Sequence, residues 1–302
     1  MEIETEPLIE KIKKDHKELF SRFDPNSCIA FFDQVPIQKP YHDVPVDVDD
    51  IWTAISREFG ESGFEAYQKT TLLRLIGRFG ATNANSRYSE TIRERFAISF
   101  RRIVNSIADP EFAMYRSQTD IMLKDLGLCR QKIFPAGAQV VEPDSGFHRA
   151  LVFRSGIPQA YQFAQLLLAS GGNRHWYQIH THLSELEDFN PDGWNRCYLR
   201  LADMLALNPK VRGMWGGSWF YDPALEEVSP RLAYLRKVPQ DNGAFLFYSN
   251  VDIVGGALSK SDSRNKAYQE GKYLPKAYAL IWPRRQLLAW AAAMRTGNAI
   301  SN

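Results

Sequence analysis

Apolar positions recur with a helical period along the first 130 or so residues, and beyond them in short runs that alternate with amphipathic stretches. Leu8, Ile9, Ile12, His16, Leu19 and Phe20 share a helical spacing, with lysines and glutamates between them. Prolines at 25, 36, 40 and 45 then predict a loop. Asp49 and Asp50 precede IWTAISREF, where an acidic cap and first turn predict a helix start. YQKTTLLRLIGRF and YSETIRERFAISFRRIVNSI predict two more helices, the second with Ile92, Phe96, Ile98, Phe100, Ile103 and Val104 on its apolar side. Asp109-Pro110-Glu111 is expected to open another, with proline at the first helical position.

The pattern changes near Pro135. HRALVFRSG predicts a strand, and IPQAYQFAQLLLAS a helix closed by Gly171-Gly172. WYQIHTHL predicts a strand, PDGWNRCYLRLADMLAL a helix, and VRGMWGGSWF a further strand. DPALEEVSPRLAYLRKV comes next as one helix or two short ones. AFLFYSNV, a polar helix about SRNKAYQEG, the strand AYALIW and the helix QLLAWAAAM complete the series. Such alternation predicts an α/β class. The expected organisation is a mainly helical region over 1–134, followed over 135–302 by a layered α/β domain with a mixed sheet that carries the site.

Composition narrows the function classes. With 44% hydrophobic and 24% charged residues the chain has the profile of an ordinary globular protein. A net charge of +2 gives no electrostatic reason to expect nucleic acid. Arg78, Arg87, Arg93, Arg95, Arg101 and Arg102 are expected to form a solvated helical face with i,i+4 ion pairs. Arg264, Lys266, Lys272, Lys276, Arg284 and Arg285 likewise read as surface. Cys28, Cys129 and Cys197 are widely spaced and form no CxxC pair, which argues against a zinc ribbon or disulfide framework and for a reducing compartment. The acidic N-terminus lacks the charge pattern of a signal peptide, and no run approaches 18 uncharged apolar residues. The expectation is a cytoplasmic protein with a small-molecule substrate, no nucleic-acid partner and no membrane span.

Three places carry candidate chemistry. His180 and His182 stand two apart on a predicted strand, so both imidazoles would point to one face, with Glu185, Glu187 and Asp188 close behind. A metal pair, an acid–base pair and a structural pair are all open to them; no histidine follows residue 182 to complete a metal set, so no metal is assigned and the pair is read as catalytic acid–base residues. Asn190-Pro191 is a cap followed by a first-position proline, and Gly193 and Trp194 lie in a helix start whose amides suit an anion. A well-capped structural helix is the plain alternative. Trp215, Ser218 and Trp219 lie among Gly213, Gly216 and Gly217, where glycines in a strand mark a bulge or the close approach of a ligand or backbone. They read as substrate-binding, or as core tryptophans for which the glycines make room.

In order, WYQIHTHL, the SELEDFNPDG turn, the Trp194 helix, VRGMWGGSWF and the Tyr234 helix resemble the core of a GNAT-type N-acyltransferase, over roughly residues 135–285. The resemblance is one of arrangement. The Arg/Gln-x-x-Gly-x-Gly/Ala turn of such enzymes is replaced here by an acidic turn with Gly193 alone. The resemblance implies acyl-CoA or another acyl thioester as cofactor, and Tyr234 as the acid that protonates the leaving thiolate. On that reading an acyl group moves to an amine that His180 or His182 deprotonates. The alternatives are a metal-dependent hydrolase or oxygenase using the histidine pair, and a module that binds a peptide or lipid in a Trp-lined groove.

Overall fold

The structure is a computed structural model that describes residues 3–36, 38–79 and 87–300, with side chains described through Gly297. Its chain divides into two compact units. Unit 1 holds residues 1–136, 140–142 and 181–186, and unit 2 holds 137–139, 143–180 and 187–302.

Unit 1 is helical: α1 Glu6–Asp15, α2 Lys17–Arg22, α3 Pro25–Asp33, α4 Val46–Phe79, α5 Glu90–Ala108 and α6 Asp120–Cys129. The start of the expected proline loop is helix α3. Asp24 caps it by accepting a hydrogen bond from the Asn26 amide, and Pro25 occupies the first turn, where its missing N–H costs nothing. Asp109-Pro110 behaves differently. The Asp109 side chain accepts from the Glu111 amide in a turn, and the next helix waits for the Thr119 cap. The 34-residue α4 bends at Gly60, whose φ of 63° is a conformation that side-chain-bearing residues rarely adopt. Trp52, Tyr67, Phe96 and Phe100 lie almost wholly inside this unit, and each such ring contributes about 1.5–3 kcal/mol by leaving water.

The sheet contains six strands in the order β1-β2-β3-β4-β6-β5: β1 Phe134–Pro135, β2 Val140–Gly146, β3 Arg174–His180, β4 Gly213–Ser218, β5 Phe245–Val251 and β6 Lys276–Pro283. β3 and β4 are parallel, while β4 with β6 and β5 with β6 are antiparallel, so the sheet is mixed. With the helical N-terminal half, this is an α/β fold. Unit 2 adds the helices α7 Gly156–Ser170, α8 Pro191–Leu207, α9 Leu225–Val228, α10 Tyr234–Asp241, α11 Gly256–Ser259, α12 Asp262–Gln269 and α13 Arg284–Ile300. HRALVFRSG, expected as a strand, is a 3-10 turn over Arg149–Phe153 that buries Leu151 and leaves Phe153 85% exposed. The strand lies before it, at β2, where VVEPDSG gave no alternating signal.

Strand alternation in β6 separates two cores in unit 2. Ile281 packs with Phe147, Phe163, Trp176, Trp215 and Phe247 on the α7 side. Trp282 packs on the other side against Tyr198 of α8, ring centroids 5.2 Å apart, and Trp290 of α13, 5.3 Å. No helix among the described residues is long and apolar enough to cross a membrane.

Candidate functional site

The Gly/Trp strand β4 ends at a cavity of about 640 Å³, within the range of small-molecule sites. Trp215, Ser218 and Trp219 all line it, as do His148, Leu151 and Arg154 from the turn before α7. Ser249, Asn250 and Asp252 close it from the end of β5, and Tyr278 from β6. Gln159 of α7 fixes two of these walls. Its side-chain amide donates to the Leu151 carbonyl at 2.6 Å and to the Tyr248 carbonyl at 3.0 Å, and its oxygen accepts from the Tyr248 amide at 2.9 Å. Arg264, 2% exposed, stacks its guanidinium 4.5 Å from the Trp219 ring centre and donates to the Ala257 carbonyl and the Ser229 hydroxyl. The walls are therefore built on braced elements.

Charge on these walls is sparse and unmatched. Arg154 is exposed and forms no ion pair among the described residues. Asp252 is half-buried, and one of its oxygens accepts from the Gly255 amide at 2.9 Å. The Tyr278 hydroxyl is pushed up in pKa by burial first, then by Asp222 and Tyr248. The Trp215 indole N–H is buried without a hydrogen-bond partner. The glycines of β4 divide in role. A side chain at Gly216 would strike Ile179 of β3 at 2.8 Å and the Tyr221 hydroxyl at 2.9 Å, whereas Gly217 has ordinary space beside Trp215. Gly216 thus serves the chain's own packing.

Among the described residues, the register pairs of β3 and β4 are Tyr177↔Met214 and Gln178↔Trp215. Beyond them Gly216 and Gly217 pair on the other side, with Leu280 and Ala279 of β6. Tyr234 is the first residue of α10. Its hydroxyl is buried without a hydrogen-bond partner, and burial holds it protonated, with its pKa pushed up to about 12. The Tyr198 hydroxyl, also buried and unpartnered, is pushed up by burial and by the nearby Tyr221, Cys197 and Tyr234.

The two histidines do not form a pair on one strand. β3 ends at His180, which is half-buried, and His182 belongs to the 181–186 segment of unit 1, so strand alternation no longer relates them. His182 is 1% exposed. Its Nδ1 accepts from the Ser184 amide at 3.2 Å, so its proton sits on Nε2, 3.0 Å from Asp125. Asp125 also accepts from Tyr115 at 2.7 Å and from the two terminal nitrogens of Arg102. Burial raises the Asp125 pKa, but the His182 hydrogen bond and the Arg102 charge outweigh it and hold the carboxyl at about 2. Glu185 continues the network, accepting from Ser99 at 2.7 Å and from Arg102 at 3.3 Å. Arg102, expected on a solvated face, is the hub of this network, and His182 spends both ring nitrogens within it. No solvent-facing lone pair or proton remains for acid–base work at His182.

The start of α8 is similarly occupied. Pro191 has no N–H, the Gly193 amide donates to the Asn190 side chain at 2.9 Å, and the Trp194 amide to the Asn190 carbonyl at 3.0 Å. Only the Asp192 amide is left in that turn, and it carries its own carboxylate. A side chain at Gly193 would lie 2.0 Å from the Asp188 carbonyl, so its absence admits the preceding loop. Trp194 is 1% exposed and packs edge-on against Phe189 and Tyr198. Asn190, Gly193 and Trp194 therefore form a capped helix start closed by the chain itself, with no cluster of free amides for a pyrophosphate.

Arg154, Asp252 and His148 were not singled out by sequence. The usable signal was weak: Asp252 comes just after the predicted strand AFLFYSNV, at a strand end where α/β sites gather, whereas Arg154 fell inside a stretch expected to be a strand. Among the described residues no group of three or more His, Cys, Asp or Glu side chains converges as a metal donor set. No family model matches this chain, and neither a curated protein nor a solved structure matches it at a significant level.

Proposed function

We propose that unit 2 transfers an acyl group from a thioester to an amine held in the β4 cavity. The observation that carries the reading is Tyr234, a half-buried residue at the first position of α10 whose hydroxyl is buried without a hydrogen-bond partner, although it is not among the residues that line the cavity. It comes within a strand–turn–helix–strand–helix–strand-pair series: β3, α8, β4, α10, then β5 with β6. Supporting it, the last register pair of the parallel strands β3 and β4 is Gln178 with Trp215, and Trp215 itself lines the cavity.

The ammonium first loses a proton to solvent or to an imidazole. His148 on the cavity wall and His180 at the end of β3 are the candidates, since His182 is committed to Asp125. The amine nitrogen then bonds to the thioester carbon, and the tetrahedral intermediate collapses with cleavage of the C–S bond. A second nitrogen proton leaves, and the departing sulfur takes a proton from Tyr234, whose phenolate is reprotonated once the products leave and open its buried hydroxyl to solvent. The acidic turn at Glu187, Asp188 and Asp192 gives a donor's pyrophosphate nothing to hold, so recognition rests on the thioester end.

The test is amine-dependent release of free thiol from acyl-CoA and from the matching acyl-pantetheine. Comparable rates with both donors are expected, with a loss of at least about 10²-fold in Tyr234→Phe, the low end for a positioned acid. Absence of thiol release from either donor, or an unaltered rate in Tyr234→Phe, removes the reading.

A further inference from the structure

The β4 cavity presents one cation and one anion that do not neutralise each other. Arg154 and Asp252 come from elements about 100 residues apart, the turn before α7 and the end of β5, and both line the same 640 Å³ space. Neither is paired: Arg154 forms no ion pair among the described residues, and the Asp252 carboxylate accepts from the Gly255 amide without meeting a cation among them. The rest of the lining includes the aromatic Trp215, Trp219 and Tyr278 and the small Ala277 and Ala279. Opposite charges in one cavity that are left to solvent favour a ligand carrying both complements. A guanidinium matches a carboxylate bidentately, and a carboxylate accepts from an ammonium. Indole faces favour an apolar body and tolerate a nearby cation.

We infer that this cavity binds an α-amino acid with an apolar or aromatic side chain, its carboxylate on Arg154 and its ammonium toward Asp252. The inference rests on the proposed function for what then happens to the amine, since the α-amino group is the acyl acceptor. Binding itself needs no donor. Carrying both charges separates this class from simple amines and from fatty acids, each of which satisfies only one of the two groups.

Calorimetric titration of the full chain with L-phenylalanine, phenethylamine and 3-phenylpropionate tests this, since the last two each delete one charge. L-Phenylalanine is expected to bind at least about tenfold more tightly than either analogue, the worth of one charge-assisted hydrogen bond. Arg154→Gln should bring L-phenylalanine down to the level of phenethylamine, and Asp252→Asn down to that of 3-phenylpropionate. Asparagine keeps the oxygen that the Gly255 amide needs. Should a variant fail to fold, the three-ligand comparison on the unaltered chain still decides. Equal affinity for L-phenylalanine and either analogue, or no heat with any of the three at millimolar concentration, overturns the inference. Binding of L-phenylalanine without thiol release from acyl thioesters leaves the ligand class standing and removes the transfer reaction. Acylation of simple amines without preference for a carboxylate does the reverse.

Discussion

A histidine two residues beyond another on a strand invites a shared role, and His182 takes a different one because the strand has already ended at His180. What decides its chemistry is Asp125, a carboxylate with no exposed surface in the middle of α6. Such a group is tolerated only where donors surround it, and Arg102, Tyr115 and His182 do so. The folded-state carboxyl, at about 2, lies below its ordinary value of 3.8. The stabilisation it represents is therefore fully present above about pH 4 and is lost as the pH falls through about 2, an amount on the order of 2 kcal/mol. Denaturant midpoints measured from pH 5 to pH 2 should show that decline. Asp125→Asn should lower stability at neutral pH and flatten the acid slope. An acid slope unchanged by the substitution would place the titrating group elsewhere. None of this was legible in the sequence, because one arginine among six and one aspartate on a mixed helix look like solvent-facing charge until the 181–186 segment is brought beside them.

Elements marked by their own ends were legible. PDGWNRCYLRLADMLAL is α8 to the residue, since Asn190 and Pro191 fix its start whatever lies around it. The same dipeptide type misleads elsewhere: Asp24-Pro25 opens a helix and Asp109-Pro110 a turn. Pro25 leads into NSCIAFF, whose Cys28, Ile29 and Phe32 are buried together, whereas EFAMYRSQ after Pro110 offers no such stripe. Trp215, Ser218 and Trp219, which line one cavity, stood out in the sequence because glycines interrupt their strand. Their partners Arg154 and Asp252 were not, because only the sheet order brings the end of β5 beside the turn before α7. At α8 the structure replaces a ligand contact with an internal one, and that exchange is measurable. Gly193→Ala places a methyl against the Asp188 carbonyl and should cost about 1–3 kcal/mol, the usual penalty for overpacking, with ligand affinity unchanged. Unchanged thermal stability in Gly193→Ala, with loss of thioester binding, would restore the helix start as a ligand site.

On the scale of the whole molecule, neither unit is one continuous stretch. The chain leaves unit 1 at Ala136, touches it again over 140–142, and returns over 181–186 with Thr181, His182 and Glu185. Those three complete hydrogen bonds to Lys124, Asp125, Ser99 and Arg102. A fragment ending at residue 136 keeps every helix of unit 1 but leaves Asp125 and Arg102 short of partners. It should unfold at markedly lower denaturant concentration than the full chain, as read by far-UV helical signal, by several kcal/mol in sum. A fragment as stable as the intact protein would show that the 181–186 segment is incidental. The same wiring sets a clock during synthesis. The contact between Asp125 and His182 spans 57 residues and that between Ser99 and Glu185 spans 86. The contacts of unit 1 with residues 181–186 therefore cannot form when its helices leave the ribosome. They wait some 50 residues more, roughly 3–10 s at ordinary elongation rates, with a charged socket open and strands β2 and β3 already made. For that interval a nascent chain has its helices but not its latch.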